Sequence, residues 1–128
     1  MIESLETGKI YRGHFNVMNS NTITNLTEES VVEVPCYMDG NGLSIPCIGE
    51  LPLGPAAVCS QSIWVQRLAV EAVVSGDEKL LKQAVLLDPL TGAVCNPPEI
   101  WQMVDEKLVA QEKWFPQYHA SDVDAKFR

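Results

Sequence analysis

Hydrophobic positions in this chain follow two periods, and the change between them divides it. Up to about Leu53 apolar and polar residues alternate in short runs; from about Pro55 to Trp114 apolar residues recur three and four apart. His14-Phe15-Asn16-Val17 alternates as a short strand does, and Asn19-Ser20-Asn21 and Thr24-Asn25 supply turn chemistry after it. Val31 to Tyr37 predicts the strongest strand, with β-branched residues on both faces. Its Pro35, which has no N–H for a ladder, predicts an edge or a bulge. Asp39-Gly40-Asn41-Gly42 reads as a hairpin turn, because Gly and Asn tolerate positive φ, and Leu43 to Ile48 is expected to return beside the strand. Strands at one end and helices at the other imply an α+β fold rather than a βαβ repeat.

The helices carry start and stop signals of unequal strength. Ile2 to Lys9 reads as the last turns of a helix closed by Gly8, with its earlier turns expected upstream. Gly49 to Pro55 is a stiff connector. Ala57 to Val74, apolar around most of its circumference, is expected to run through the core or an interface. Gly76 stops that helix and Asp77 caps the next, Glu78 to Leu87, which is expected to bury Leu80, Leu81, Ala84 and Val85 and to end at Asp88-Pro89. The last helix opens on Asn96, Pro97 and Glu99, a capping-box pattern, and is expected to reach Trp114 with Trp101, Val104 and Leu108 on one face. Trp64 and Trp101, set among aliphatics, read as core. Beyond the helices, 117–128 reads as a polar tail.

Length and charge narrow what such a domain does. A chain of 128 residues can bury one modest core and is too short for a cofactor domain plus a substrate domain. A net charge of −8 and a pI near 4.6 repel phosphate backbones and anionic lipid, so neither nucleic acid nor a membrane is expected as a partner. The start MIESLETGK is acidic and polar, unlike a signal peptide, which leads us to expect a cytoplasmic protein. Cys36, Cys47, Cys59 and Cys95 are widely spaced with no C-x-x-C pair or nearby histidine. They are read as reduced, mostly buried thiols rather than zinc ligands or disulfides. Asn25-Leu26-Thr27 matches a glycosylation sequon and is read as coincidence.

Few residues suggest chemistry on their own. Gly8-x4-Gly13 and Gly49-x4-Gly54 resemble phosphate loops but lack the following Lys-Ser/Thr, and no G-x-G-x-x-G follows a strand. Asp39 to Gly42 lacks the further acids of a calcium loop. Glu33, flanked by valines, is either a cleft carboxylate or a glutamate on the solvent face of an edge strand. His14, Asn16 and Asn19 form a polar group suited to hydrogen-bonding sugar hydroxyls, and equally to a satisfied loop. His119, in the tail, reads as solvated. No acid and base pair, triad or metal cluster can be assembled from local patterns.

Longer stretches carry more. GHFNVMNSNTITNLTEESVVEVPC, DGNG, the helix WVQRLAVEAVVSGD and QAVLLDPLTGAVCNPPEIWQMVDE together resemble the C-terminal part of glycoside hydrolase family 4, especially its α-galactosidase-like branch, over about Ile2 to Pro116. Three departures stand out: Met18 in place of a proline in an N-V-P-N turn, Ser20-Asn21-Thr22 in place of a more glycine-rich turn, and Thr27 in place of a proline. The resemblance implies the lactate/malate dehydrogenase-like C-terminal domain of such an enzyme, without its Rossmann domain. In that family NAD and a divalent metal such as manganese drive hydrolysis of glycosides through transient oxidation of the sugar, and the residues holding them lie N-terminal to the part matched here. It implies no catalytic, cofactor-binding or metal-binding residue in this chain, and neither NAD nor manganese bound by this chain alone. His14, Asn16 and Asn19 are expected on the sugar side. The chain is expected to be inactive alone and to work as a homo-oligomer or with a complementing N-terminal chain. The alternative is a non-catalytic, self-associating interaction module.

Overall fold

The alternation around His14 does build a strand. In the computed structural model, which describes residues 1–118, β1 (Tyr11–Met18) pairs antiparallel with β2 (Val31–Asp39), Tyr11 opposite Met38 and Met18 opposite Val31. β3 (Gly42–Ser44) pairs with Tyr37–Asp39, so β2 is the central strand in the order β1-β2-β3. The second hairpin turns through Gly40 and Asn41: Asp39 Oδ1 accepts the Asn41 N–H at 2.8 Å, and Gly42 adopts φ 108°. Val17, Val32, Val34, Cys36 and Met38 are buried on the inner face of the sheet, together with Ile23 and Leu26 from the loop between β1 and β2. Each such side chain contributes about 1.5–3 kcal/mol when fully buried. The short helix α1 (Ile2–Thr7) packs against β2 and ends at Gly8, whose φ of 73° is the left-handed cap expected of it.

Several expectations for this half are corrected. β2 is central rather than an edge, but β3 covers only Tyr37–Asp39, so Pro35 lies where β2 has a single neighbour and its missing N–H is tolerated. The return strand ends at Ser44 rather than Ile48. The chain leaves the sheet there, and Ile48 and Gly49 instead donate to Thr22 O at 2.8 and 3.3 Å, with Ile23 and Gly49 forming a parallel bridge. Of the four free thiols only Cys36 is buried; Cys47 is exposed, and Cys59 and Cys95 are half-buried.

The chain divides into two compact units, Met1–Ser60 and a second that begins at Gln61. Helix α2 (Leu53–Ser75) starts earlier than the pattern suggested, with Pro55 accommodated in its first turn. Among the described residues it is not surrounded by a core: only its Ala56 and Ala72 are buried there, while Trp64, Val70, Val73 and Val74 are exposed. The guanidinium of Arg67 lies over the Trp64 ring at 5.0 Å.

In the second unit α3 (Glu78–Leu87) is capped by Asp77, which accepts the amides of Lys79 and Leu80. Asp88-Pro89 does not merely stop α3. Asp88 ends it and caps a further short helix, α4 (Pro89–Val94), which the sequence reading did not anticipate. The amides of Thr91 and Leu90 that cap α4 hold the Asp88 carboxyl below the usual aspartate range. Helix α5 (Pro97–Ala110) has the full capping box of Asn96 and Glu99, and it ends short of Trp114, which lies in a separate 3-10 turn, Glu112–Trp114. Its buried face is Ile100, Val104, Asp105 and Leu108. Trp101, expected on that face, is exposed. On α3, Ala84 is buried as expected and Leu81 and Val85 pack partly buried against Val104 and Leu108.

The fully buried charge on α3 is Lys82. Its ammonium meets Asp105 of α5 at 2.5 Å and Glu78 one turn back on its own helix. Burial alone would lower the lysine pKa, but the two carboxylates outweigh it and hold it above the usual 10.5. A folded pKa above the unfolded one stabilises the fold below about pH 10.5, and that stability fades as the pH climbs through the folded value. Tyr118 acts in the same direction, since burial and the Asp77 carboxylate raise its phenol above 10.0. Urea unfolding followed by circular dichroism is therefore expected to give a midpoint that falls on going from pH 9 to pH 11 by more than exposed lysines produce. Lys82→Met is expected to cost about 3 kcal/mol at neutral pH, because it strands the Asp105 carboxylate, and Lys82→Met with Asp105→Leu is expected to recover most of it.

Candidate functional site

Strand geometry places the polar residues of β1 on one face. His14 and Asn16 are two apart and exposed, so they share the outer face of the sheet with Arg12. Across the ladder His14 stands opposite Pro35, Asn16 opposite Glu33 and Arg12 opposite Tyr37, with the Arg12 guanidinium 6.0 Å from the Tyr37 ring centroid. Glu33 is exposed on this face and so follows the solvent-face reading, although its strand is central. The outer face thus carries a cation, a carboxylate, an imidazole, an amide and an aromatic ring. On the opposite face Tyr11 folds across Gly13 to meet Phe15 edge-on at 6.2 Å. A Cβ at Gly13 would lie 2.8 Å from the Tyr11 ring as it is placed, so a side chain there would displace that ring.

Asn19 is not beside them. It is fully buried, and its side chain is spent inside the loop between the two strands: Oδ1 accepts the Ile23 N–H at 2.7 Å, and Nδ2 donates to Ile23 O, Leu26 O and Thr27 O at 3.0 to 3.2 Å. Its backbone N–H donates to Ser30 O at 2.8 Å. Ser20 and Asn21, the positions read as replacing a glycine-rich turn, keep positive φ of 34° and 67°. Asn25 clamps the far side of the loop, exchanging two hydrogen bonds with the Leu51 backbone at 2.8 and 3.0 Å.

Neither glycine pair forms a phosphate cradle. Gly8 caps α1 and Gly13 lies in β1; Gly49 bridges to Ile23 and Gly54 lies in α2. Among the described residues no three His, Cys, Asp or Glu side chains gather in a way that would hold a metal ion. No helix among them is long and apolar enough to cross a membrane. His119 and the tail beyond it lie outside the described residues. Sequence reasoning missed the ion cluster of Lys82. The four-residue spacing of Glu78 and Lys82 was a visible signal for half of it, whereas Asp105 is brought in only by helix packing.

Residues 1–91 match the family 4 glycosyl hydrolase C-terminal domain. The chain is 53% identical over 123 residues to an α-galactosidase of Rhizobium meliloti (strain 1021), covering 95% of this chain and 25% of the relative. It is 37% identical over 119 residues to an α-galactosidase of Bacillus subtilis (strain 168), covering 92% and 27%. The chain thus spans about a quarter of the length of these relatives. Among solved structures, a 6-phospho-α-glucosidase from gut microorganisms, in complex with NAD and glucose-6-phosphate, has the same fold at a TM-score of 0.77 and 21% identity, covering 92% of this chain and 26% of that one. The 6-phospho-β-glucosidase of Thermotoga maritima, with NAD and glucose-6-phosphate, matches at 0.76 and 24%, covering 89% and 27%.

The loop geometry yields a direct test of Asn19. Asn19→Asp replaces two donors with a carboxylate facing three carbonyl oxygens, and is expected to destabilise the fold by about 3 kcal/mol in urea unfolding. Amide hydrogen exchange is expected to speed up across residues 19–30, leaving α5 protected. Unchanged exchange in that loop would refute the role assigned to Asn19.

Proposed function

The chain belongs to the family 4 glycosyl hydrolases, as their C-terminal domain, and from that premise we propose that it forms the substrate-facing and assembly part of an NAD- and divalent-metal-dependent glycosidase acting on α-galactosides. The similarity to α-galactosidases over nearly the whole of this chain carries the reading. The described residues supply neither a phosphate cradle nor a metal-ligand cluster that would hold those groups. Polypeptide N-terminal to this domain, in the same chain or another, brings them. This domain's own work is binding. His14 and Asn16, exposed and two residues apart on β1, exchange hydrogen bonds with sugar hydroxyls, and the buried amide of Asn19 fixes the loop that follows them.

A second reading rests on α2, whose exposed Trp64, Val70, Val73 and Val74 suit an interface. In it the domain is a non-catalytic, self-associating module.

The test is complementation. The chain is mixed with the separately produced N-terminal portion of the Rhizobium meliloti α-galactosidase, NAD and manganese, and assayed on an aryl α-galactoside. Each polypeptide alone is expected to be silent and the pair active. In the active pair His14→Ala and Asn16→Ala are each expected to lower kcat/KM about tenfold, the worth of one hydrogen bond to the sugar, without changing assembly. A pair that assembles by light scattering yet hydrolyses nothing would reject the glycosidase reading. A homo-oligomer indifferent to the N-terminal portion would support the module.

A further inference from the structure

The chain holds six asparagines: Asn16, Asn19, Asn21, Asn25, Asn41 and Asn96. The side-chain amide of an asparagine can be attacked by the backbone nitrogen of the next residue, provided that nitrogen is unhindered and the side chain is free to turn. Asn96 is followed by Pro97, which has no N–H, and Asn16, Asn21 and Asn25 by Val17, Thr22 and Leu26, whose side chains crowd the nitrogen. Asn19 is buried with its side chain in four hydrogen bonds, and the side chain of Asn25 is held by the Leu51 backbone. Asn41 differs on both counts. It is followed by Gly42, it is exposed, and its side-chain amide has no hydrogen-bond partner among the described residues.

The hairpin around Asn41 leaves the reaction room. A Cβ built at Gly42 meets nothing within 4 Å, so the approach to its nitrogen is open. Gly42 closes the ladder opposite Asp39, and its nitrogen is reached when this last pair opens. β3 is three residues long and lies at the edge of the sheet, with Leu43 and Ser44 exposed, and strand ends of that kind open at little cost.

We propose that Asn41 is a site of spontaneous modification, converting to isoaspartate and aspartate through a succinimide closed with Gly42. The Gly42 nitrogen gives its proton to solvent base and bonds to Cγ of Asn41; the Cγ–Nδ2 bond breaks, and ammonia leaves with a proton from solvent. Water then opens the ring. Cleavage at the main-chain carbonyl leaves the chain running through Cγ as isoaspartate, and cleavage at Cγ leaves aspartate, so water is the only reagent consumed. Isoaspartate lengthens the main chain by one carbon inside a two-residue turn, which breaks the closing pair of Asp39 and Gly42; β3 leaves β2, and Tyr37 loses its neighbour Ser44. Ile48 and Gly49, bonded to Thr22, confine the change to the hairpin. The site is independent of the sugar contacts assigned to β1 and of whether the domain serves a glycosidase.

The full 128-residue chain, kept folded in mildly alkaline buffer, is followed by peptide mass spectrometry with electron-transfer fragmentation, which locates the gained mass and separates isoaspartate from aspartate. The gain is expected first at Asn41, with isoaspartate the main product. Hydrogen exchange in the modified fraction is expected to speed up at residues 42–44 while 48–49 stay protected. Gly42→Ala is expected to slow the conversion about tenfold, because its Cβ shields the nitrogen. Asn41→Gln, whose amide lies one methylene too far for the five-membered ring, is expected to abolish it and keeps the test decisive if the glycine variant folds poorly. No conversion in the folded chain, conversion first at another asparagine, aspartate without isoaspartate, or unchanged exchange at 42–44 would each overturn the proposal.

Discussion

The buried amide of Asn19 is the contact on which the first unit depends. β1 and β2 are joined by residues 19–30, which form no regular structure, and a loop of that length can hold two strands in register only if its backbone groups find partners without a ladder. Backbone-to-backbone bonds supply part of them, and one side chain adds four more. By accepting from Ile23 and donating to Ile23, Leu26 and Thr27, Asn19 draws both ends of the loop toward one point, and Ile23 and Leu26 are thereby turned into the core. Asn25 then ties that loop to Leu51, and Thr22 to Ile48 and Gly49, so the segment leaving β3 is fixed by the same device. The outer face of β1 is therefore presented on a strand whose far end cannot slide.

The second unit solves a different problem with a buried charge. Three short helices have little apolar surface to share, and the centre of their contact holds Lys82 with Asp105 and Glu78 beside the small core of Val104, Leu108 and Tyr118. An ion cluster of this kind adds little net stability compared with an apolar replacement, but it penalises any other alignment of α3 on α5, because a shift would leave a charge buried and unpaired. Tyr118 closes the end of that core by packing alone. That combination gives the unit a defined helix register.

Elements with local causes were legible in the sequence and elements with distant causes were not. The Gly8 cap, the Asp39–Gly42 turn, the Asp77 cap and the capping box of Asn96 and Glu99 lie within four residues of their effect, and each appears where the pattern placed it. β3 was overextended because Ile48 and Gly49 answer to Thr22, far back in the chain. α4 was missed because Asp88-Pro89 serves equally as a stop and as a start, and only the amides of Leu90 and Thr91 decide between them. Lys82 could not have been placed in the interior from composition, since its partner Asp105 arrives through packing. For the site, the shared face of His14 and Asn16 follows from strand periodicity. The burial of Asn19 does not: one residue past β1, it has left the alternation and belongs to the loop.

That distinction bears on the sugar contacts proposed for the β1 face. Two residues apart on an antiparallel strand, His14 and Asn16 lie about 7 Å from one another along the backbone, a span comparable to a hexose ring, and the ladder has already fixed the backbone beneath them, so only their side chains would be ordered on binding. Arg12 and Glu33 on the same face add a donor and an acceptor of opposite charge, and Tyr37 a flat apolar surface. Such a face can orient a polyhydroxylated ligand through many weak, directional contacts, while none of its groups forms a nucleophile with an adjacent base. Affinity and orientation are what its geometry offers. The reacting groups of a glycosidase built on it would come from polypeptide beyond the described residues, brought against a strand that the Asn19 loop has made rigid.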